Sequence, residues 1–252
     1  MLTRHTNPSN AYRNRLWQPR ADAVTAPRST RDLAAVGRLI GPMIKEIRAP
    51  LGNLLAATEM LHEGMPEDDP AGGFVRLMVR ESERIDEIVK DISAMVSPAD
   101  IHSAAVDAVR LMNDVFSAVE PMATRQCIGT HSNVAAASLC VWADADALRT
   151  AFDKITRYMM ECMPFGGTLS AWATSVETPD TRHACIGFSD TGPTVPDTLL
   201  NRIFEPFVVI KGRRSGMGLA ISRMTIEQMG GEIMARNNGE RGLTLEMQLP
   251  LP

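Results

Sequence analysis

Long apolar runs, aromatic side chains and closely spaced cysteines are all scarce in this chain. No stretch approaches the ~18 apolar residues that cross a bilayer, so no membrane span is expected. Met1 to Arg20 is polar and basic and lacks the apolar core of a secretory signal. The expectation is a soluble, cytoplasmic protein. The four cysteines, Cys127, Cys140, Cys162 and Cys185, are 13, 22 and 23 residues apart with no C-x-x-C pair. That spacing gives no support to a zinc centre or a thioredoxin-like motif, and buried reduced thiols are expected instead. Aromatics are 5% of the chain and show no interleaved stacking pattern that would mark a nucleic-acid platform.

The rest of the composition is that of a globular protein. The chain has 252 residues, 44% apolar and 22% charged, enough for one or two domains. The net charge of −4 is uneven. Residues 1–30 carry five Arg and one Asp, whereas residues 31–252 carry 21 basic and 29 acidic residues. An acidic body argues against a nucleic-acid-binding core. The sixteen methionines suit irregular cores and adaptable contact surfaces.

Three regions follow from periodicity. Residues 1–29 lack any repeat of apolar positions, contain Pro8, Pro19 and Pro27, and read as a flexible basic arm. Residues 30–98 read as a helical hairpin. Its first stripe is Leu33, Val36, Ile40, Met43, Ile47, Leu51, Leu54 and Leu61, bent at Pro50. Glu63 to Gly73 is a loop rich in Pro, Gly and Asp. The second stripe is Phe74, Met78, Ile85, Ile88, Ile92 and Met95, interrupted by Glu81. Two amphipathic helices bury too little surface to stand alone. A second copy would complete a four-helix bundle, so a homodimer through residues 30–98 is expected. Residues 101–252 mix patterns. Helices are expected over 102–123, 144–163 and 218–229. Strands are expected near 127–130, 136–142, 168–174, 184–189, 232–235 and 243–248. The fold class is α+β, a helical hairpin followed by an α/β sandwich.

Three motifs carry a family resemblance. Lys45-Glu46-Ile47-Arg48-Ala49-Pro50-Leu51 lies on the first hairpin helix. Ser189-Asp190-Thr191-Gly192-Pro193-Thr194-Val195-Pro196 follows a strand, and Ile203-Phe204-Glu205-Pro206-Phe207 precedes Gly216-Met217-Gly218-Leu219-Ala220-Ile221. In this order, after such a hairpin, they resemble the catalytic core of a sensor histidine kinase over residues 33–250. The resemblance implies a dimerisation and phosphotransfer hairpin, then an ATPase domain of the Bergerat (GHKL) type. It implies that Asp190 holds the adenine amine, that Gly192 lets the base approach the backbone, and that Gly216 and Gly218 present backbone N–H groups to phosphates. Lys211, Arg213 and Arg214 would add positive charge in a short lid.

The chemical groups of that family are altered here. Lys45 stands where the resemblance places the phosphoacceptor His. A lysine ammonium with pKa about 10.4 is a poor nucleophile at neutral pH, unlike an imidazole near 6.5. Glu46 matches the family's general base but has no adjacent His proton to take. Ala49 replaces the polar residue that orients water for dephosphorylation. The two Asn-box positions fall on Lys154 and Tyr158. The second Asn binds Mg²⁺ in the family, and a neutral phenol is a poor ligand for that ion. Lys154 would neutralise phosphate charge instead.

The resulting expectation is a two-component signalling protein that resembles a histidine kinase without autokinase chemistry. It would be an adaptor that binds a response-regulator receiver domain or a partner kinase. ATP or ADP would bind weakly or without Mg²⁺, and no confident catalytic residue or metal ligand is expected. Three alternatives carry their own signatures. One is residual kinase or ATPase activity, and another is a histidine-phosphotransferase-like scaffold. The third is a DNA-binding regulator acting through the arm.

Overall fold

The computed structural model describes residues 51, 52, 54–56, 58, 59, 61, 72–96, 100–134, 138–177, 182–206, 208, 217–239 and 241–252. The basic arm and the first half of the first hairpin helix lie outside them. So do Lys45, Glu46, Ala49, Pro50, Lys211, Arg213, Arg214 and Gly216.

The described residues between 51 and 61 are helical, and helix α1 spans Gly72–Val96. Burial on α1 does not fall on the predicted stripe. Val75, Ser82 and Val89, seven residues apart, are buried, and Val89 packs with Leu51 and half-buried Ile92. Phe74, Leu77, Met78, Ile85 and Ile88 stay exposed. The sequence pattern merged two faces that lie one residue apart: one seam closes within the chain and the other looks outward.

After α1 come β1 (Ala104–Asp107), α2 (Ala108–Arg125), β2 (Ile128–Val134), β3 (Cys140–Ala143) and α3 (Ala145–Glu161). They are followed by β4 (Gly167–Glu177), β5 (Arg182–Asp190), a 3₁₀ turn at Asp197–Leu199, α4 (Gly218–Gln228), β6 (Glu232–Asn237) and β7 (Leu243–Pro250). The five-stranded sheet has the order β2-β4-β5-β7-β6, with β2 parallel to β4 and the remaining pairs antiparallel. The predicted mixed α+β fold is therefore present. One predicted helix needs correction. Residues 104–107 are a strand, β1, paired antiparallel with β3. Ala104-Ala105-Val106 fits the continuous apolar pattern of the helix, and only the long-range partner Val141 makes it a strand.

The sheet buries one face under helices. Ala184, Ile186 and Phe188 of β5, and Leu243, Leu245, Met247 and Leu249 of β7, alternate inward and are fully covered. Phe188 meets Phe152 of α3 at 5.1 Å and Phe116 of α2 at 6.1 Å between ring centroids. Such aromatic contacts add to area burial and fix the helix layer on the sheet.

Two aspartates start the helices. Asp107 accepts the N–H of Val109 and Arg110 to cap α2, and that of Leu139 at 3.4 Å. Asp144 caps α3 through Asp146 and Ala147, and its Oδ2 accepts the N–H of His102 at 2.9 Å. Asp144 therefore ties the connector after α1 to the nucleotide-type domain. The Ala147 and His102 N–H groups hold its carboxyl below the ordinary carboxylate range.

The cysteine expectation holds in part. All four thiols are free, with Cys162 and Cys185 buried but Cys127 and Cys140 exposed. Burial, then the Glu246 carboxylate at 3.2 Å, pushes the Cys185 thiol far up, so it stays protonated and unreactive.

Candidate functional site

β5 delivers Asp190 to the end of the sheet, where it is 2% exposed. Its Oδ1 accepts the N–H of Gly192 at 2.8 Å and of Leu243 at 3.2 Å. The carboxylate thus folds its own loop back and pins it to β7. A carboxylate offers about four acceptor positions, so it can hold the loop and still take a ligand N–H. Gly192 is demanded by close approach. A Cβ there would stand 3.0 Å from the Cys162 carbonyl oxygen and 3.1 Å from Asp190 Oδ1.

The loop is held from the other side by residues that sequence reasoning missed. The N–H of Gly242 donates to the Gly192 carbonyl at 2.7 Å. Gly242 has φ +90°, and a Cβ on it would run into the Asp190 carbonyl oxygen. Asn237 clamps Val195 like a strand neighbour: it accepts the Val195 N–H at 2.9 Å and donates to its carbonyl at 2.7 Å. Asn238 donates to the Ser189 hydroxyl at 2.7 Å and accepts from Thr244 at 2.6 Å. The only sequence signal was the turn-like run Asn237-Asn238-Gly239. Thr194 sits in the loop with its backbone outside the left-handed region.

α3 supplies the facing wall. Tyr158 is 7% exposed, its phenol turned into the core instead of into an open pocket. Lys154 is at the surface edge, and its Nζ lies 2.6 Å from Asp91 Oδ1 of α1. α4 begins at Gly218, and a Cβ on Gly218 would stand 3.7 Å from Lys154 Cβ, so the start of α4 abuts the lysine stem. The N-cap of α4, Met217, makes no side-chain capping bond. Ser222 secures the crossing by donating to the Gly218 carbonyl at 2.9 Å, with the Ala151 carbonyl at 3.3 Å. Phe204 of the third motif is buried, with the Arg223 guanidinium 5.7 Å above its ring.

The structure therefore brings Asp190, Gly192, Lys154, Tyr158 and Gly218 to the β5–α3–α4 end of the sandwich. The glycine loop packs tightly, with Gly192 against the Cys162 carbonyl and the Asp190 carboxylate. The Tyr158 phenol, at the position where the resemblance places a magnesium-binding Asn, is buried and is a poor ligand for that ion.

Comparison with known proteins places this arrangement. Residues 143–252 match the family described as histidine kinase-, DNA gyrase B- and HSP90-like ATPase. Over 224 residues the chain is 26% identical to sporulation kinase E of Bacillus subtilis, covering 89% of this chain and 30% of that kinase. Over 219 residues it is 25% identical to the sensor histidine kinase ZraS of Escherichia coli, covering 87% of this chain and 46% of that one. The chain thus spans less than half the length of these relatives. Full-length ShkA in complex with AMPPNP shares the fold, with TM-score 0.69 at 21% identity over 87% of this chain and 45% of that one. Histidine kinase ThkA in complex with the response regulator TrrA does so with TM-score 0.66 at 18% identity, over 89% of this chain and 64% of that one. The chain thus resembles sensor histidine kinases in sequence and shares their fold, a helical region followed by an α/β sandwich, with the ATPase-family match confined to residues 143–252. Among the described residues no helix is long and apolar enough to cross a membrane.

Proposed function

We propose that the chain is a two-component signalling adaptor, a histidine-kinase-like dimer that docks a receiver domain or a partner kinase and transfers no phosphate. Residues 30–98 form the docking and dimerisation hairpin, and residues 101–252 form a nucleotide-responsive platform. One feature of the sequence carries this reading: Lys45 stands where the resemblance to sensor histidine kinases places the phosphoacceptor His. Ala49 and the buried phenol of Tyr158 support it, because each removes a group that phosphate chemistry needs.

The platform keeps what base recognition requires. Asp190 accepts the exocyclic amine of adenine, and Gly192 admits the ring against the backbone. By the resemblance, the phosphates would fall to Gly218, Gly216 and Lys211. ATP or ADP binds without a magnesium requirement, since charge neutralisation falls to lysine.

Lys45 gives the hairpin a docking role. Receiver domains carry an acidic pocket, and a fixed ammonium at this position pairs with those carboxylates. Such contacts set partner choice and association rate more than raw affinity. Lys45→Glu should weaken binding to a cognate receiver about tenfold or more, measured by calorimetry with purified receiver domains. Unchanged affinity would remove the docking role of Lys45.

A further inference from the structure

Lys154 and Asp91 belong to different parts of the molecule. Asp91 lies in the last two turns of α1, and Lys154 lies in the middle of α3, 63 residues away. Their Nζ–Oδ1 distance is 2.6 Å, with side chains 24% and 20% exposed. Partial burial makes this pair stronger than a surface pair and makes a lone partner costly. An open cleft of about 350 Å³ lies nearby, between Ala94 at the end of α1, Ile101 of the connector, Thr150 of α3 and Ile221 and Met224 of α4. The ion pair is a direct tie between hairpin and platform.

The same lysine stem stands against Gly218, at the start of α4, where Met217 makes no side-chain capping bond. A lysine has four rotatable carbons. Its ammonium can reach Asp91 on one side or an anion before α4 on the other, but not both at once.

We infer that the Asp91–Lys154 ion pair is a latch holding the platform against the hairpin, and that nucleotide phosphate opens it by taking Lys154. This rests on the nucleotide-binding reading above. A triphosphate carries several negative charges against one on Asp91, so it competes successfully for the ammonium. Nucleotide occupancy is thereby converted into freedom of the platform relative to the docking hairpin, with no phosphate transferred. A ligand shifts such an equilibrium only by its differential affinity for the two states, and the phosphate contact to Lys154 is that difference.

The test is titration of the full chain with a fluorescent ATP analogue and, in competition, with adenosine. Asp91→Asn should bind ATP about fivefold more tightly, as expected on removing a competitor worth a partly buried ion pair, with adenosine affinity unchanged. Lys154→Met should weaken ATP and spare adenosine. Hydrogen exchange in the last turns of α1 should speed up when ATP is added to the wild type, and should already be fast in Asp91→Asn. If the wild type binds ATP and Asp91→Asn matches it in affinity and exchange, the latch is wrong and the nucleotide reading stands. Saturable binding by Asp91→Asn alone supports a latch that holds firmly shut. Absence of binding in every variant overturns both.

Discussion

On the proposed dimerisation through residues 30–98, replacing Ile85 and Ile88 with glutamate should convert dimer to monomer while leaving the platform folded. Both side chains are more than 40% exposed on α1, in line with Phe74, Leu77 and Met78. Steps of four and three run along Phe74, Met78, Glu81, Ile85 and Ile88, the spacing of a helix-pairing seam. Burying an isoleucine stabilises by about 1.5–3 kcal/mol, and a dimer covers four of these two. Their loss, with four carboxylates forced together, should raise the dimer dissociation constant by at least about a thousandfold. Analytical ultracentrifugation reads the mass. Val75, Ser82 and Val89 line the adjacent, closed seam, so the helix itself should survive. A wild type that sediments as a monomer at all concentrations would mean that this face serves a different partner.

Asp190→Asn should cost about ten- to hundredfold in ATP affinity, the range for losing a hydrogen bond to a charged group. The amide oxygen can still accept the N–H groups of Gly192 and Leu243, so the loop should keep its shape. What the amide lacks is the second acceptor oxygen and the negative charge that recognise an adenine amine. Thermal unfolding of the variant should stay close to wild type. A large fall in melting temperature would instead assign Asp190 to loop stability alone.

The platform was legible because its signals are local. Asp190, Gly192 and Gly218 sit in short motifs whose backbone demands are visible in the letters themselves. The alternation Ala184, Ile186, Phe188 marks a strand with one buried face. What escaped was non-local. β1 is a strand only because β3 lies beside it. Asn237 and Gly242 support the glycine loop from residues 42 and 50 positions beyond Val195 and Gly192. The partnership of Lys154 with Asp91 could not be read either. Both are ordinary helical charges until the fold sets them 2.6 Å apart. The α1 stripe was read as one face because a period of 3.6 cannot say which of two adjacent seams closes first.

The central claim is that this kinase-like chain moves no phosphate. The measurement that tests it most directly is incubation of the purified protein with ATP labelled on the γ-phosphate, alone and with a receiver domain, followed by gel autoradiography. The account predicts label in nucleotide and none on either protein. Label on this chain would contradict it, and its survival in Lys45→Ala would show that a residue other than Lys45 accepts phosphate.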